Sequence, residues 1–111
     1  MNPVVYFEIG CKDMAGTTDF YRQVFDWNIE EGNHVQAGEG GIGGHFTSLG
    51  HEPHQYVTFY LQVDDVEKYL QKVVEAGGER LIGPMSIPGD KGIFGWFKDL
   101  GGNALGVYQN P

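Results

Sequence analysis

The sequence predicts an α+β domain of two βαβββ modules, forming a curved mixed sheet with a concave cup on one side and the helices on the outer face. Three observations carry this. A strand-then-helix order occurs twice, and sliding by 52 residues lays Tyr6 on Thr58, Phe7 on Phe59, Glu8 on Tyr60 and Asp13 on Asp65. In each copy the apolar residues change from two-residue alternation to helical spacing. Each copy is then followed by about 30 residues rich in turn chemistry and short apolar runs, which is room for three strands.

Residues 4–9, VVYFEI, put Val5, Phe7 and Ile9 on one face and Tyr6 and Glu8 on the other. Asp13 suits an N-cap, and Met14, Thr17, Tyr21, Val24 and Phe25 follow at helical spacing, giving a helix over about 13–25. WNIEE, HVQAG and IGGHFTSL supply three short strands. The polar, Pro-containing stretch LGHEPHQ joins the halves. Module one therefore covers about residues 1–50, the linker about 51–55 and module two about 56–111. In YVTFYLQV, Val57, Phe59, Leu61 and Val63 take one face; Tyr56, Thr58, Tyr60 and Gln62 take the other. Asp64 and Glu67 have capping-box spacing, with Asp in place of Ser or Thr. Val66, Tyr69, Leu70, Val73 and Val74 form an amphipathic stripe, and Gly77-Gly78 ends the helix. ERLIGPMSI, GIFGWFKD and NALGVYQ complete the second module. The apolar strand faces are expected to pack against the helices, leaving the cup to Tyr6, Glu8, Thr58, Tyr60 and Gln62. A ferredoxin-like βαββαβ fold is the rival. It needs only two strands between the helices, and the interval from Asp26 to Gln55 favours three.

The bulk properties exclude several roles. A chain of 111 residues fits a single domain, and 41% apolar content argues for a folded one. The charge of −8 disfavours nucleic acid, whose phosphates need Lys and Arg. It suits a cationic ligand, although many proteins are acidic for solubility alone. Cys11 is the one cysteine, so no internal disulfide and no cysteine-based zinc site is expected, as in a reducing cytoplasmic setting. No apolar run approaches the roughly 18 residues of a membrane span. The start, MNPVVYFEIG, has no basic region followed by a long apolar stretch, so no secretion signal is expected. The expected partner is a small molecule, not nucleic acid or membrane.

FEIGCKD followed by DFYRQVFDW, then FYLQVDDVEKYLQKVVEAGGE, then FGWFKDLGGNALGVYQ together resemble the vicinal oxygen chelate superfamily. That group holds glyoxalase I, bleomycin-resistance proteins and extradiol dioxygenases. Asp26 stands where the relatives usually have Gly, Leu100 where they have Pro, and Val107 where they have Leu. The resemblance covers nearly the whole chain. It implies a small organic ligand in the cup, and homodimers, sometimes with exchanged modules. In members with chemistry it implies a divalent metal held by His, Glu or Gln from the first and last strands of each module. Those positions fall at Tyr6, at Thr58, near Gly44 and at Gly106. None is a usual ligand, although a one-residue shift at the third would bring in His45. The reading that follows is a glyoxalase-like domain that binds a small organic ligand without the family's metal, any metal being confined to a non-standard site. The alternatives are a lyase, isomerase or dioxygenase working from a displaced site, and a non-catalytic structural or regulatory dimer.

Glu8 and His45 are the candidate catalytic residues. A carboxylate next in line after Tyr6 could serve as a base or bind a cation. His45, in the glycine-rich GGIGGHF, could be a base, but a one-residue slip would turn it to the helix face. Tyr6, Glu8, Thr58, Tyr60, Trp96 and Tyr108 are the candidate ligand contacts, since rings with polar tips suit planar or cationic compounds. His51 and His54 read as a solvated loop, and His34 is given no role. The segment PMSIPGDKGIFG reads as a hairpin turn and does not match a phosphate-binding loop. No nucleophile arrangement is evident.

Overall fold

In the computed structural model, residues 1–48 and 55–111 are described. His51 and His54 lie outside the described residues. The elements run β1 (Val4–Gly10), α1 (Met14–Phe25), β2 (Ile29–Glu30), β3 (His34–Val35), β4 (Gly43–Thr47), β5 (Tyr56–Gln62), α2 (Val66–Glu75), β6 (Glu79–Ser86), β7 (Ile93–Lys98) and β8 (Ala104–Gln109). The fold is α+β, βαβββ twice over. Three strands separate α1 from β5, which removes the ferredoxin-like rival. The chain forms two compact units, residues 6–58 and residues 1–5 with 59–111. The divisions fall within β1 and β5, so Tyr56 to Thr58 belong to the first of these.

In the 6–58 unit the strands lie in the order β2-β3-β4-β1, with β1 and β4 parallel and the other pairs antiparallel. Asp13 caps α1, its carboxylate accepting from the Gly16 N–H at 3.0 Å. Asp26 ends the helix at φ 58°, a left-handed conformation that Asp tolerates better than most residues, and its N–H returns to the Arg22 carbonyl. The core gathers Cys11, Ile29, Val35 and Phe46, with Phe7, Ile9, Met14, Tyr21 and Trp27 packed on it. The expected helical stripe holds at Met14 and Tyr21. It fails at Val24 and Phe25, which face outward with Phe20, while Thr18 is buried.

In the other unit the order is β5-β8-β7-β6, with β5 and β8 parallel. Val63, Val66, Leu70, Phe97 and Val107 form the core. The helix cap is Asp65, not Asp64: the Asp65 carboxylate accepts from the Lys68 N–H at 3.1 Å. Asp64 instead meets the Lys68 ammonium at 3.0 Å. Gln109 Oε1 takes the Val66 N–H at 2.9 Å, satisfying a second of the helix's first donors. Gly77, at φ 98°, turns the chain out of α2, as the Gly-Gly pair predicts. Arg80 grips Glu67 through two 2.8 Å bonds, which hold the Glu67 carboxyl at about 2.

The apolar face of β5 is a second correction. Leu61 and Val63 pack as expected, but Val57 is 76% exposed and Phe59 is 39% exposed. Within the unit that holds Phe59, α2 rests on β6, β7 and β8 and leaves that ring uncovered. Among the described residues, no helix is long and apolar enough to cross a membrane.

The cap assignment is testable by urea unfolding. Asp65→Ala should cost about 0.5–2 kcal/mol of stability, the usual range for a lost N-cap. Asp64→Ala should barely move the midpoint, since it removes only a surface ion pair.

Candidate functional site

Strand parity builds the site. Phe46 is fully buried in the core beneath α1, so residues two apart from it in β4 face the same way. Gly44 is one of them. A Cβ there would stand 2.5 Å from the Phe7 carbonyl oxygen and 2.6 Å from its ring. His45 must therefore turn to the opposite face. The parallel register sets it against Glu8, whose neighbour Tyr6 shares that face.

Four side chains meet there. The Tyr6 hydroxyl lies 2.8 Å from His45 Nδ1. His45 Nε2 lies 3.4 Å from Glu8 Oε1. The Tyr56 hydroxyl donates to Glu8 Oε2. Glu8 is 5% exposed, whereas the His45 side chain is 26% exposed. The carboxyl is thus the inner member and the imidazole is nearer the surface.

The electrostatics fix the protons. Burial, reinforced by the Glu8 charge, pushes the Tyr6 phenol up to about 12. Burial and the bond to Glu8 raise Tyr56 as well. Both phenols therefore stay protonated at neutral pH. Burial lowers His45, Glu8 pulls it back upward, and His34, opposite it in β3, lowers it further. The net shift is downward, so the ring is neutral at neutral pH and carries one proton. That proton belongs on Nε2, facing the carboxyl acceptor. Nδ1 then accepts from the Tyr6 hydroxyl. The contacts run from Tyr6 to His45 to Glu8, the middle one an approach of 3.4 Å, with Tyr56 closing the line from the other end.

The remaining candidates sit elsewhere. Thr58 is buried in the same unit. In the other unit Tyr60 and Trp96 are buried against each other, and Trp96 Nε1 donates to the Tyr60 hydroxyl at 2.8 Å. The Tyr108 hydroxyl donates to the Lys91 carbonyl at 2.7 Å, tying β8 to the turn before β7. Tyr56 is the member that sequence reasoning missed. Its signal was present: it alternates with Thr58 and Tyr60, and a phenol is a ready donor for a buried carboxylate.

The strand registers also bear on the third position in module one. Glu8 pairs with His45 and Tyr60 pairs with Gly106, and Tyr60 is the repeat equivalent of Glu8. The counterpart of Gly106 is therefore His45, not Gly44. On these registers, the four positions that the resemblance implies for ligands fall at Tyr6, His45, Thr58 and Gly106. A phenol, an alcohol and a glycine do not fit a divalent ion, and both nitrogens of His45 face partners within the protein. Among the described residues, no three of His, Cys, Asp and Glu are grouped as metal ligands.

Residues 4–107 match the family model of the glyoxalase/bleomycin resistance protein/dioxygenase superfamily. The chain belongs to this superfamily. A curated relative is the anthracycline biosynthesis protein DnrV of Streptomyces peucetius, 27% identical over 94% of this chain. The match covers 46% of that relative, so the chain spans about half its length. A superfamily member from Vibrio splendidus 12B01 shares the fold at a TM-score of 0.68 and 19% identity, covering 100% of both chains. Methylmalonyl-CoA epimerase from Mycobacterium tuberculosis does so at 0.72 and 8% identity, covering 97% of this chain and 87% of its own. At these identities the structures share the fold alone.

The proton assignment predicts an NMR result. At neutral pH, ¹⁵N spectra of His45 should show a protonated Nε2 and a hydrogen-bonded, unprotonated Nδ1. Tyr6→Phe should shift Nδ1 and leave Nε2 nearly unchanged. A proton found on Nδ1 would refute the assignment.

Proposed function

We propose that the chain binds a small organic ligand on the face bearing Tyr6, His45 and Glu8, and that it moves a proton to or from that ligand, as a lyase or isomerase does. The observation that carries this is the cluster of Tyr6, His45, Glu8 and Tyr56, with hydrogen bonds at each end and a 3.4 Å approach of His45 to Glu8 between them. A carboxylate taken out of water costs several kcal/mol unless partners compensate, and inert packing needs none.

The division of labour follows from burial. Glu8 is covered and already bonded to Tyr56, so it acts as a positioning residue. It holds the imidazole in one tautomer and stabilises the imidazolium when that forms. Tyr6 and His45 are the groups nearer the ligand. When the Tyr6 oxygen takes a proton from a ligand, its own proton passes to Nδ1 and the positive charge comes to rest beside Glu8. The reverse sequence returns a proton to the ligand. This logic needs no metal, in keeping with the poor donor set. The naming of one protein of similar fold as an epimerase supports proton transfer as a chemistry this fold can house.

Thr58 of this unit and, separately, Tyr60, Trp96 and Tyr108 of the other unit are retained as proposed ligand contacts, with a proposed homodimer in the cytoplasm. The outward Phe20, Val24 and Phe25 of α1 support the dimer, because an apolar helix face is costly to leave in water. A single domain with module one over about 1–50 and module two over about 56–111 is likewise our reading.

The test is a thermal-shift screen of aromatic amines, acids and carbonyl compounds. Each hit is then followed for deuterium uptake from D₂O next to its carbonyl. The expected outcome is binding with catalysed exchange, slowed roughly 10²-fold or more in His45→Ala, in line with the loss of a general acid–base group. Binding without exchange in any hit would leave a binding domain and defeat the catalytic part.

A further inference from the structure

The unit of residues 1–5 and 59–111 holds a groove of about 490 Å³ at the carboxyl ends of the parallel strands β5 and β8. It shares no residue with the cluster of Tyr6, His45, Glu8 and Tyr56, nor with Thr58, Tyr60, Trp96 or Tyr108. We infer that this groove is a binding site for a neutral, polyhydroxylated ligand, a sugar.

The size is that of a small-ligand site. Asn2, Gln62, Asp64, Tyr69, Gln109 and Asn110 line it, so four of its polar side chains are amides. The hydrogen bonds these residues already make fix what they have left to offer. Gln109 Oε1 accepts from the Val66 N–H at 2.9 Å. That bond requires the oxygen on the helix side, and it leaves Nε2 with its N–H donors without a partner among the described residues. Asn2 does the reverse. Its Nδ2 donates to the Gln62 carbonyl at 2.9 Å, which leaves Oδ1 as an acceptor. The Gln62 amide and the Tyr69 hydroxyl have no partner among the described residues. One groove therefore offers both donors and acceptors.

That mixture selects a class of ligand. A hydroxyl donates and accepts at once, so a ring of hydroxyls answers both kinds of group. It takes the place of water at these amides without leaving either end unpaired. An ammonium answers only the acceptors, and a carboxylate or phosphate only the donors. The Tyr69 ring adds an apolar surface for the C–H side of a sugar.

Charge favours a neutral ligand as well. Asp64 is the charged residue among those lining the groove, and the Lys68 ammonium binds its carboxylate at 3.0 Å. Lys68 and Lys72 lie 5.4 and 4.7 Å from the Tyr69 ring centroid and are not part of the lining. No lining residue presents an unpaired counter-charge to an ion. A peptide is a poorer occupant: it binds by adding a strand to a free edge, and β8 is flanked by β5 and β7.

The experiment follows the side-chain amide signals of Asn2, Gln62, Gln109 and Asn110 by ¹H–¹⁵N NMR. Methyl α-glucoside, methyl α-galactoside and maltose are titrated in turn, with sodium glucuronate and cyclohexanol for comparison at matched ionic strength. At least one of the neutral sugars is expected to give saturable shifts at these amides. Glucuronate and cyclohexanol should bind about fivefold more weakly or worse, the scale of one lost hydrogen bond. Gln62→Met removes an amide that holds nothing else among the described residues. It should weaken sugar binding about fivefold and leave the thermal midpoint unchanged. Gln109→Glu keeps an acceptor for the Val66 N–H but exchanges the free donors for an oxygen. It should abolish the sugar shifts while the backbone signals of α2 stay in place. No saturable shift from any of the three sugars, glucuronate or cyclohexanol binding as tightly as they do, or unchanged binding in either variant would overturn the inference.

Discussion

Gly44 lies so close to Phe7 that no side chain fits between them, and the next core-facing residue of β4, Phe46, is sealed beneath α1. Together they leave strand β4 a single parity. His45 is then forced onto the face that carries Tyr6 and Glu8, at the place in the register where it meets the carboxyl. A slip of one residue would send His45 into the core and Phe46 to the surface. The packing of a phenylalanine and the absence of a β-carbon thus decide whether His45 meets Glu8.

The second unit shows what the same scaffold does without that choice. Its matching pair is Tyr60 and Gly106, and a Cβ on Gly106 would fall 2.2 Å from the Tyr60 ring. There the large side chain comes from the first strand of the module and fills the space of its missing partner. Trp96 then closes over the Tyr60 hydroxyl. In the 6–58 unit the first strand contributes a carboxyl and the last strand an imidazole. The repeat carries the backbone from one module to the other, but the polar chemistry of this pair is confined to one of them.

Much of the architecture was legible in the sequence because it rests on local signals. The 52-residue offset, the Asp caps and the Gly-Gly stop each act within a few residues of where they are read. What was not legible depends on distant parts of the chain. The footprint of α2 explains why Phe59 stays exposed, and no periodicity within β5 reveals it. The cap fell on Asp65 and not Asp64 because both offer the same side chain and only the entry of the backbone separates them. Glu8 and His45 were named from their residue types, but their meeting required the register between β1 and β4. Tyr56 joined them only through a contact 48 residues away in sequence.

The central claim is that Glu8 is held by its partners as one coupled group. A double-mutant cycle in urea unfolding, with Glu8→Gln, Tyr56→Phe and the pair, measures this directly. Coupling of about 1–3 kcal/mol is predicted, as expected for residues sharing a buried hydrogen bond to a charged group. Additive effects of the two substitutions would show that the carboxyl does not depend on Tyr56, and would contradict the account.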